Sequence, residues 1–290
     1  MNRMKLIVVM LLWGSIGLFT RYIDLTPIQL AFSRAVLAML VLFVLKKKSV
    51  DSLNRRSVLL YCLSGALIGF AWVALFYGYN NITIASAVII YNMCPVYVML
   101  AAPYVLKEKR DWTQNLVIII SLIGLILIVG VPGKLSEGDL LGKVMSGISG
   151  LLYAVIVLIN RKIEVKLEST TATSIQMLSA AVILLPFVLR SDLIVALSNL
   201  NQTAVLMIVI LGVVHTGVAY CLYFSTFSQM KSIDIVVFSY LEPLFGMVFG
   251  VIVLHEALTW PQIIGAILIL GSTFVGENVQ ACKKIANSIE

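Results

Sequence analysis

Two charged residues stand inside long apolar runs, and they are the first places where this chain could do chemistry. Glu242 lies near the middle of IDIVVFSYLEPLFGMVFGVIVLHE, Ile233 to Glu256, directly before Pro243. Arg34 lies in the run Pro27–Leu45, seven residues after the proline. In such a setting a carboxylate can hold a proton or a substrate amine. A guanidinium can hold a substrate carboxylate, or Glu242 itself. Each also has a structural reading. Glu242 can bond to backbone that Pro243 opens, because proline removes one helical hydrogen bond. Arg34 can snorkel to an interface, about 10 Å away at 1.5 Å per residue, or cap the carbonyl end of a neighbouring helix.

A second set is polar and aromatic. His215 either couples to protons, as histidine does near neutral pH, or is a satisfied core residue. Thr216, Tyr220 and Tyr223 follow at i, i+4 and i+7, which puts a hydroxyl and two phenols on one helical face. Such a face suits a cavity better than lipid. Tyr91 and Asn92 precede Pro95, and Ser239 and Tyr240 hold the matching places before Pro243. These four either line a cavity or bond between helices. Trp13 and Trp72 lie mid-run, away from the headgroup depth that tryptophan favours, and Tyr77 lies near the end of its run. They read as cavity walls or gates. Trp112 and Trp260 open their runs and read as interfacial anchors. Glu108 and Glu256 close theirs and read as structural acids. Gly14, Gly17, Gly246 and Gly250 read as close-packing positions between helices of one chain.

The elements that must position these residues are membrane spans. The chain has 290 residues, 60% apolar and only 12% charged, about half the charge of a soluble domain. Mean hydropathy is +1.02. Ten apolar runs are expected to cross the bilayer, each near the roughly 20 residues a span needs: Met4–Tyr22, Pro27–Leu45, Val58–Tyr79, Thr83–Leu106, Thr113–Val131, Leu140–Asn160, Thr171–Leu189, Ala204–Gln229, Ile233–Leu254 and Pro261–Gly276. The first reads as a transmembrane helix rather than a cleaved signal peptide, because many others follow. A polar tail, 277–290, is expected in the cytoplasm. The net charge of +7 comes from loop residues and reads as a topology signal, with no basic arm for nucleic acid. If the N-terminus is cytoplasmic, sixteen Lys and Arg fall inside and four outside. Both termini are therefore expected inside. Cys62, Cys94, Cys221 and Cys282 show neither a disulfide framework nor metal-ligand spacing.

The chain repeats itself. Pro95 and Pro243 stand 148 residues apart, as do Glu108 and Glu256, Phe76 and Phe224, Leu106 and Leu254, Trp112 and Trp260, and Gln114 and Gln262. A weaker offset of 140 pairs Leu11-Leu12 with Leu151-Leu152 and Arg21 with Arg161. The expected organisation is an all-α polytopic membrane protein of ten transmembrane helices in two related halves, 1–135 and 136–276. Five spans per half is an odd number, so the halves enter the membrane with opposite polarity. Inverted repeats of this kind place a solute site at their interface, near the midplane.

These residues carry a resemblance. WGSIGLFTRYI, FSRAVLAML, IIYNMCPVYVMLAAPYVLKEK, GVVHTGVAYCLYFSTF and FSYLEPLFGMVFGVIVLHEALTWPQIIGAILILGSTF resemble the drug/metabolite transporter superfamily, in its EamA-type ten-helix group. The resemblance implies a multi-pass protein of the cell membrane that exports or exchanges small metabolites, often amino acids, through a cavity built by spans 1–4 and 6–9. It leaves the substrate open. No Gly-rich phosphate loop is present, so no nucleotide cofactor is expected. The partners expected are a small solute, the lipid bilayer and a coupling proton. Two other classes were weighed against this one. An intramembrane enzyme on a lipid or prenyl substrate needs clustered acids or a nucleophile with a base, and Glu242 stands alone. A non-transporting membrane subunit has no sizeable soluble domain to signal through.

Overall fold

A computed structural model describes residues 2–45, 54–107, 112–129, 137–163, 167–227 and 238–286, and among them every regular element is helical. In chain order these are α1 (Asn2–Thr20), α2 (Pro27–Leu45), α3 (Arg55–Asn81), α4 (Ile84–Tyr91), α5 (Cys94–Val105), α6 (Trp112–Val129) and α7 (Glu137–Arg161). Then follow α8 (Ser169–Val188), α9 (Leu193–Ser198), α10 (Gln202–Val209), a π-helical segment (Ile210–Val218), α11 (Ala219–Phe227), α12 (Leu241–Val248) with a π-helical extension (Phe249–Val253), and α13 (Trp260–Ala286). Among the described residues seven stretches are long and apolar enough to cross a membrane, and three shorter apolar helices lie in α6, in α12 with its extension, and in α13. Glu108, the basic residues Lys46–Lys48 and Lys109–Arg110, and the first residues of the expected ninth span, 233–237, lie outside the described residues.

Local chemistry sets the helix boundaries. Asn54, Thr83 and Asn201 each accept a hydrogen bond from a backbone N–H of the turn that follows, at 3.0, 3.3 and 2.8 Å. These are N-caps of the residue types that serve best there. The fourth apolar run is broken in two. α4 ends at Tyr91 and α5 restarts at Cys94 with Pro95 in its first turn, where a missing N–H does no harm. Asn92 donates its side-chain amide to the Val88 carbonyl one turn back, at 2.8 Å. The connection between α8 and α10 contains α9, which the hydropathy pattern does not announce. α13 continues beyond the last apolar run to Ala286, so the polar tail is helical over most of its length.

Packing is tight where small residues let backbones approach. α3 lies against α7 and α8, α2 against α8 and the Ile210–Val218 segment, α1 against α11 and α12, and α6 against α13. At Gly14 of α1 a methyl group would sit 2.6 Å from Phe245 Cβ and 2.7 Å from the Glu242 carbonyl oxygen. Only glycine allows α12 so close. α6 and α13 meet through Gly124 and Gly265 and share a Ser121–Ser272 hydroxyl hydrogen bond of 2.8 Å. Trp112 and Trp260 are largely exposed, as anchors at a lipid–water boundary would be. Gly246 and Gly250 face Val88 and the Ala85 amide of the same chain, an intramolecular use.

One carboxylate binds three segments together. Glu256, just past the π-helical extension of α12, accepts from the Ile84 N–H at 2.8 Å and from the Ala85 N–H at 3.2 Å. Its Oε1 also meets Arg21 Nη2, beyond the end of α1, at 3.4 Å, and Arg21 donates to the Ile82 carbonyl at 3.0 Å. Glu256 is thus a cap supplied from 172 residues away in the chain. A negative charge at a helix N-terminus also complements the helix dipole. Replacing Glu256 by Ala is expected to lower stability by about 0.5–2 kcal/mol, the range for a lost cap. Hydrogen exchange should then quicken at the Ile84 and Ala85 amides, with Glu256→Gln intermediate. Thermal unfolding and exchange mass spectrometry of the detergent-solubilised protein measure both.

Candidate functional site

The site begins with the irregular turn between α10 and α11. In a π-helix the backbone bonds reach five residues back, which adds a residue to the turn and swings side chains to new directions. Here two side chains bond over the same interval. His215 Nδ1 donates to the Ile210 carbonyl at 3.2 Å, and Thr216 Oγ1 donates to the Leu211 carbonyl at 2.9 Å. With its hydrogen committed, the Thr216 oxygen accepts from Arg34 Nε at 2.7 Å.

Arg34 is 4% exposed and sits over Trp72, its Cζ 4.1 Å from the ring centroid. A buried cation on an indole face is held by the ring quadrupole. This geometry rules out the snorkelling reading. Thr216 takes one edge of the guanidinium and Trp72 takes a face. The terminal nitrogens bond to no protein atom among the described residues, and Arg34 lines a cavity.

Glu242 borders the same cavity from the first turn of α12. Its carboxylate has no hydrogen-bond partner among the described residues, and no ion pair within 4 Å joins it to Arg34. The cavity measures about 220 Å³. Trp13 and Ile16 of α1, Trp72, Leu75 and Tyr79 of α3, Tyr91 of α4, Tyr153 of α7 and Tyr220 and Tyr223 of α11 complete its wall. The aromatic wall is fastened down. Trp13 Nε1 donates to the His215 carbonyl at 3.0 Å, and its ring packs on Tyr220 and Tyr223 with centroids 5.3 and 5.0 Å apart. Tyr153 hydrogen-bonds with Tyr220 and Trp72, and meets Tyr91 edge to face. Tyr223 hydrogen-bonds with Ser239.

A larger hollow of about 470 Å³ lies between α12 and α13, but residues such as Leu244, Val251 and Ile267 around it are all apolar. Nothing there could orient a polar solute. Among the described residues no group of three His, Cys, Asp or Glu could hold a metal ion.

Of the thirteen residues singled out in the sequence, seven meet at the cavity: Trp13, Arg34, Trp72, Tyr91, Tyr220, Tyr223 and Glu242. The other six stand elsewhere, each for a physical reason. Tyr77 is two positions before Tyr79, about 200° round a helix, so Tyr79 takes the wall position. Asn92 spends its amide on the Val88 carbonyl. His215 is 1% exposed, fixed between the Ile210 carbonyl and Ser15 Oγ, the latter at 3.0 Å, with Phe19 on its ring. Thr216 stands behind Arg34, its hydroxyl taken up between the Leu211 carbonyl and the Arg34 Nε–H. Ser239 supports Tyr223. Tyr240 packs edge to face on Phe274 of α13, 5.7 Å between centroids.

Ile16, Leu75, Tyr79 and Tyr153 were not singled out. The repeat held the signal for Tyr153, since the offset of 140 pairs it with Trp13. The offset of 148 likewise pairs Trp72 with Tyr220 and Leu75 with Tyr223. Three pairs of matched positions therefore face one cavity.

Known proteins resemble this chain over most of its length. The sequence profile of the EamA-like transporter family matches residues 4–130 and again residues 140–275. An uncharacterized transporter of Bacillus subtilis, YxxF, is 30% identical over 252 residues, covering 84% of this chain and 79% of that protein. The S-adenosylmethionine uptake transporter of Rickettsia prowazekii is 21% identical over 83% of this chain and 78% of its own. A protein of Salmonella typhimurium named as a probable amino-acid metabolite efflux pump is 22% identical over 62% of each. One solved crystal structure superposes with a TM-score of 0.64 over 95% of this chain and 96% of that one, at 16% identity, and so shares the fold.

The Thr216 contact is testable by itself. Thr216→Val leaves the Arg34 Nε–H buried without an acceptor, which costs about 1–3 kcal/mol. Thr216→Ser keeps the oxygen and is expected to unfold close to the wild-type temperature in detergent.

Proposed function

This chain belongs to the EamA-like transporter family, and from that premise we propose that it is a secondary transporter of small metabolites, amino acids first among them, in the cell membrane, working as an exporter or exchanger by alternating access. In this reading the chain crosses the membrane ten times, with both termini in the cytoplasm. Residues 1–135 and 136–276 are inverted halves around the cavity. The separate family matches at 4–130 and 140–275 support two halves. So do the matched pairs on the cavity wall, and the seven long and three shorter apolar helices.

The observation that carries the substrate class is the pair Arg34 and Glu242, opposite charges that border one cavity and do not touch. An amino acid supplies what each lacks. Its carboxylate can take two parallel bonds from the terminal nitrogens of Arg34, the geometry for which arginine is suited. Its ammonium can take the Glu242 carboxylate. About 220 Å³ is below the roughly 300–1,000 Å³ of drug-sized pockets, which favours a single amino acid over a larger conjugate. Glu242 can hold either the substrate ammonium or a proton, so one displaces the other, and that exchange is a means of coupling.

Counterflow of labelled amino acids in proteoliposomes tests the reading. The wild type is expected to show saturable counterflow. Arg34→Gln and Glu242→Gln are each expected to weaken substrate affinity about ten- to hundredfold, the size of a lost charge-assisted contact. Glu242→Gln should also make flux indifferent to an imposed pH gradient. Absence of counterflow with every amino acid, or unchanged affinity in both variants, overturns the proposal.

A further inference from the structure

Most of the cavity wall is committed to other bonds or carries a polar tip. Trp13, Trp72, Tyr153, Tyr220 and Tyr223 are tied to one another or to neighbouring helices. Arg34 is fixed by Thr216 and Trp72. Two wall residues have no polar atom beyond Cα, Ile16 of α1 and Leu75 of α3. Both belong to the main packed cluster, with 7% and 8% of their surface still open, and both border the cavity. The repeat singles out Leu75. Of the three matched wall pairs, Trp13 with Tyr153 and Trp72 with Tyr220 are aromatic in both members, whereas Leu75 is aliphatic where its mate Tyr223 carries a ring.

We propose that Ile16 and Leu75 form an apolar subsite for the side chain of the transported amino acid, and that Leu75 sets the size it admits. This rests on the amino-acid reading given above. Arg34 and Glu242 engage groups that all amino acids share, so they cannot tell one from another. Discrimination falls to the surface that meets the variable group. A one-methylene difference in an apolar pocket is worth about tenfold or more in selectivity.

The test is a binding series on the full-length protein in detergent, read by thermal shift and calorimetry with glycine, alanine, valine, leucine, phenylalanine and tryptophan. Affinity in the wild type is expected to rise with side-chain size to an optimum and then fall. Leu75→Ala should move the optimum towards larger side chains, and Leu75→Tyr, which installs the residue of the repeat mate, towards smaller ones. The ratio between the smallest and largest ligands should change about tenfold or more. Ile16→Val, a milder change, should shift the order in the same sense as Leu75→Ala and guards against misfolding of the larger substitutions. Equal changes for every ligand overturn the subsite and leave the amino-acid reading standing. So does glycine binding as tightly as leucine throughout. Failure of the wild type to bind any of the six overturns both.

Discussion

A guanidinium and a carboxylate border one cavity in the interior of an apolar bundle and do not neutralise each other. Burying an unpaired charge is unfavourable by several kcal/mol per ion. A fold that buries two such groups without pairing them must hold them by other means. Arg34 rests on the face of Trp72 and on the Thr216 oxygen, which is itself oriented by the Leu211 carbonyl. Glu242 is held by its backbone, which Gly14 admits against α1. The charged ends stay available because each support engages another part of the residue.

The π-helical segment Ile210–Val218 is the hinge of this arrangement. It turns His215 towards α1 and Thr216 towards α2. Trp13 closes the link by donating to the His215 carbonyl. Three spans are thus fastened at one irregular turn, beside the cavity rather than in it. π-helical turns are rare and are frequently found at functional sites. His215 serves here as a structural strut, with both ring nitrogens in contact and an aromatic neighbour on its face.

Glu256 does comparable work at the far end of α12. Its carboxylate gathers the α4 N-terminus and Arg21 at one point. Together with the glycine contacts of α1 and α12, this holds α1, α4 and α12 as one packed unit on that side of the cavity. The matched positions on the wall, Trp13 with Tyr153 and Trp72 with Tyr220, carry the repeat from the sequence into the cavity itself.

What the sequence determined by itself was the environment. Runs of about 20 apolar residues have one physical reading, and a charge inside such a run must be covered by protein or by a wet cavity. Arg34, Glu242 and the aromatic residues Trp13, Trp72, Tyr91, Tyr220 and Tyr223 could be picked out on that ground. Tertiary structure alone decided direction. Tyr79 faces the cavity and Tyr77 does not because helix rotation is fixed by how α3 packs on α7 and α8. Thr216 backs Arg34 because its hydroxyl, donated to the Leu211 carbonyl five residues back, accepts from the Arg34 Nε–H. Hydropathy is a sum over neighbours in the chain, whereas the facing of a side chain depends on contacts between residues as far apart as Arg34 and Thr216, 182 positions along it.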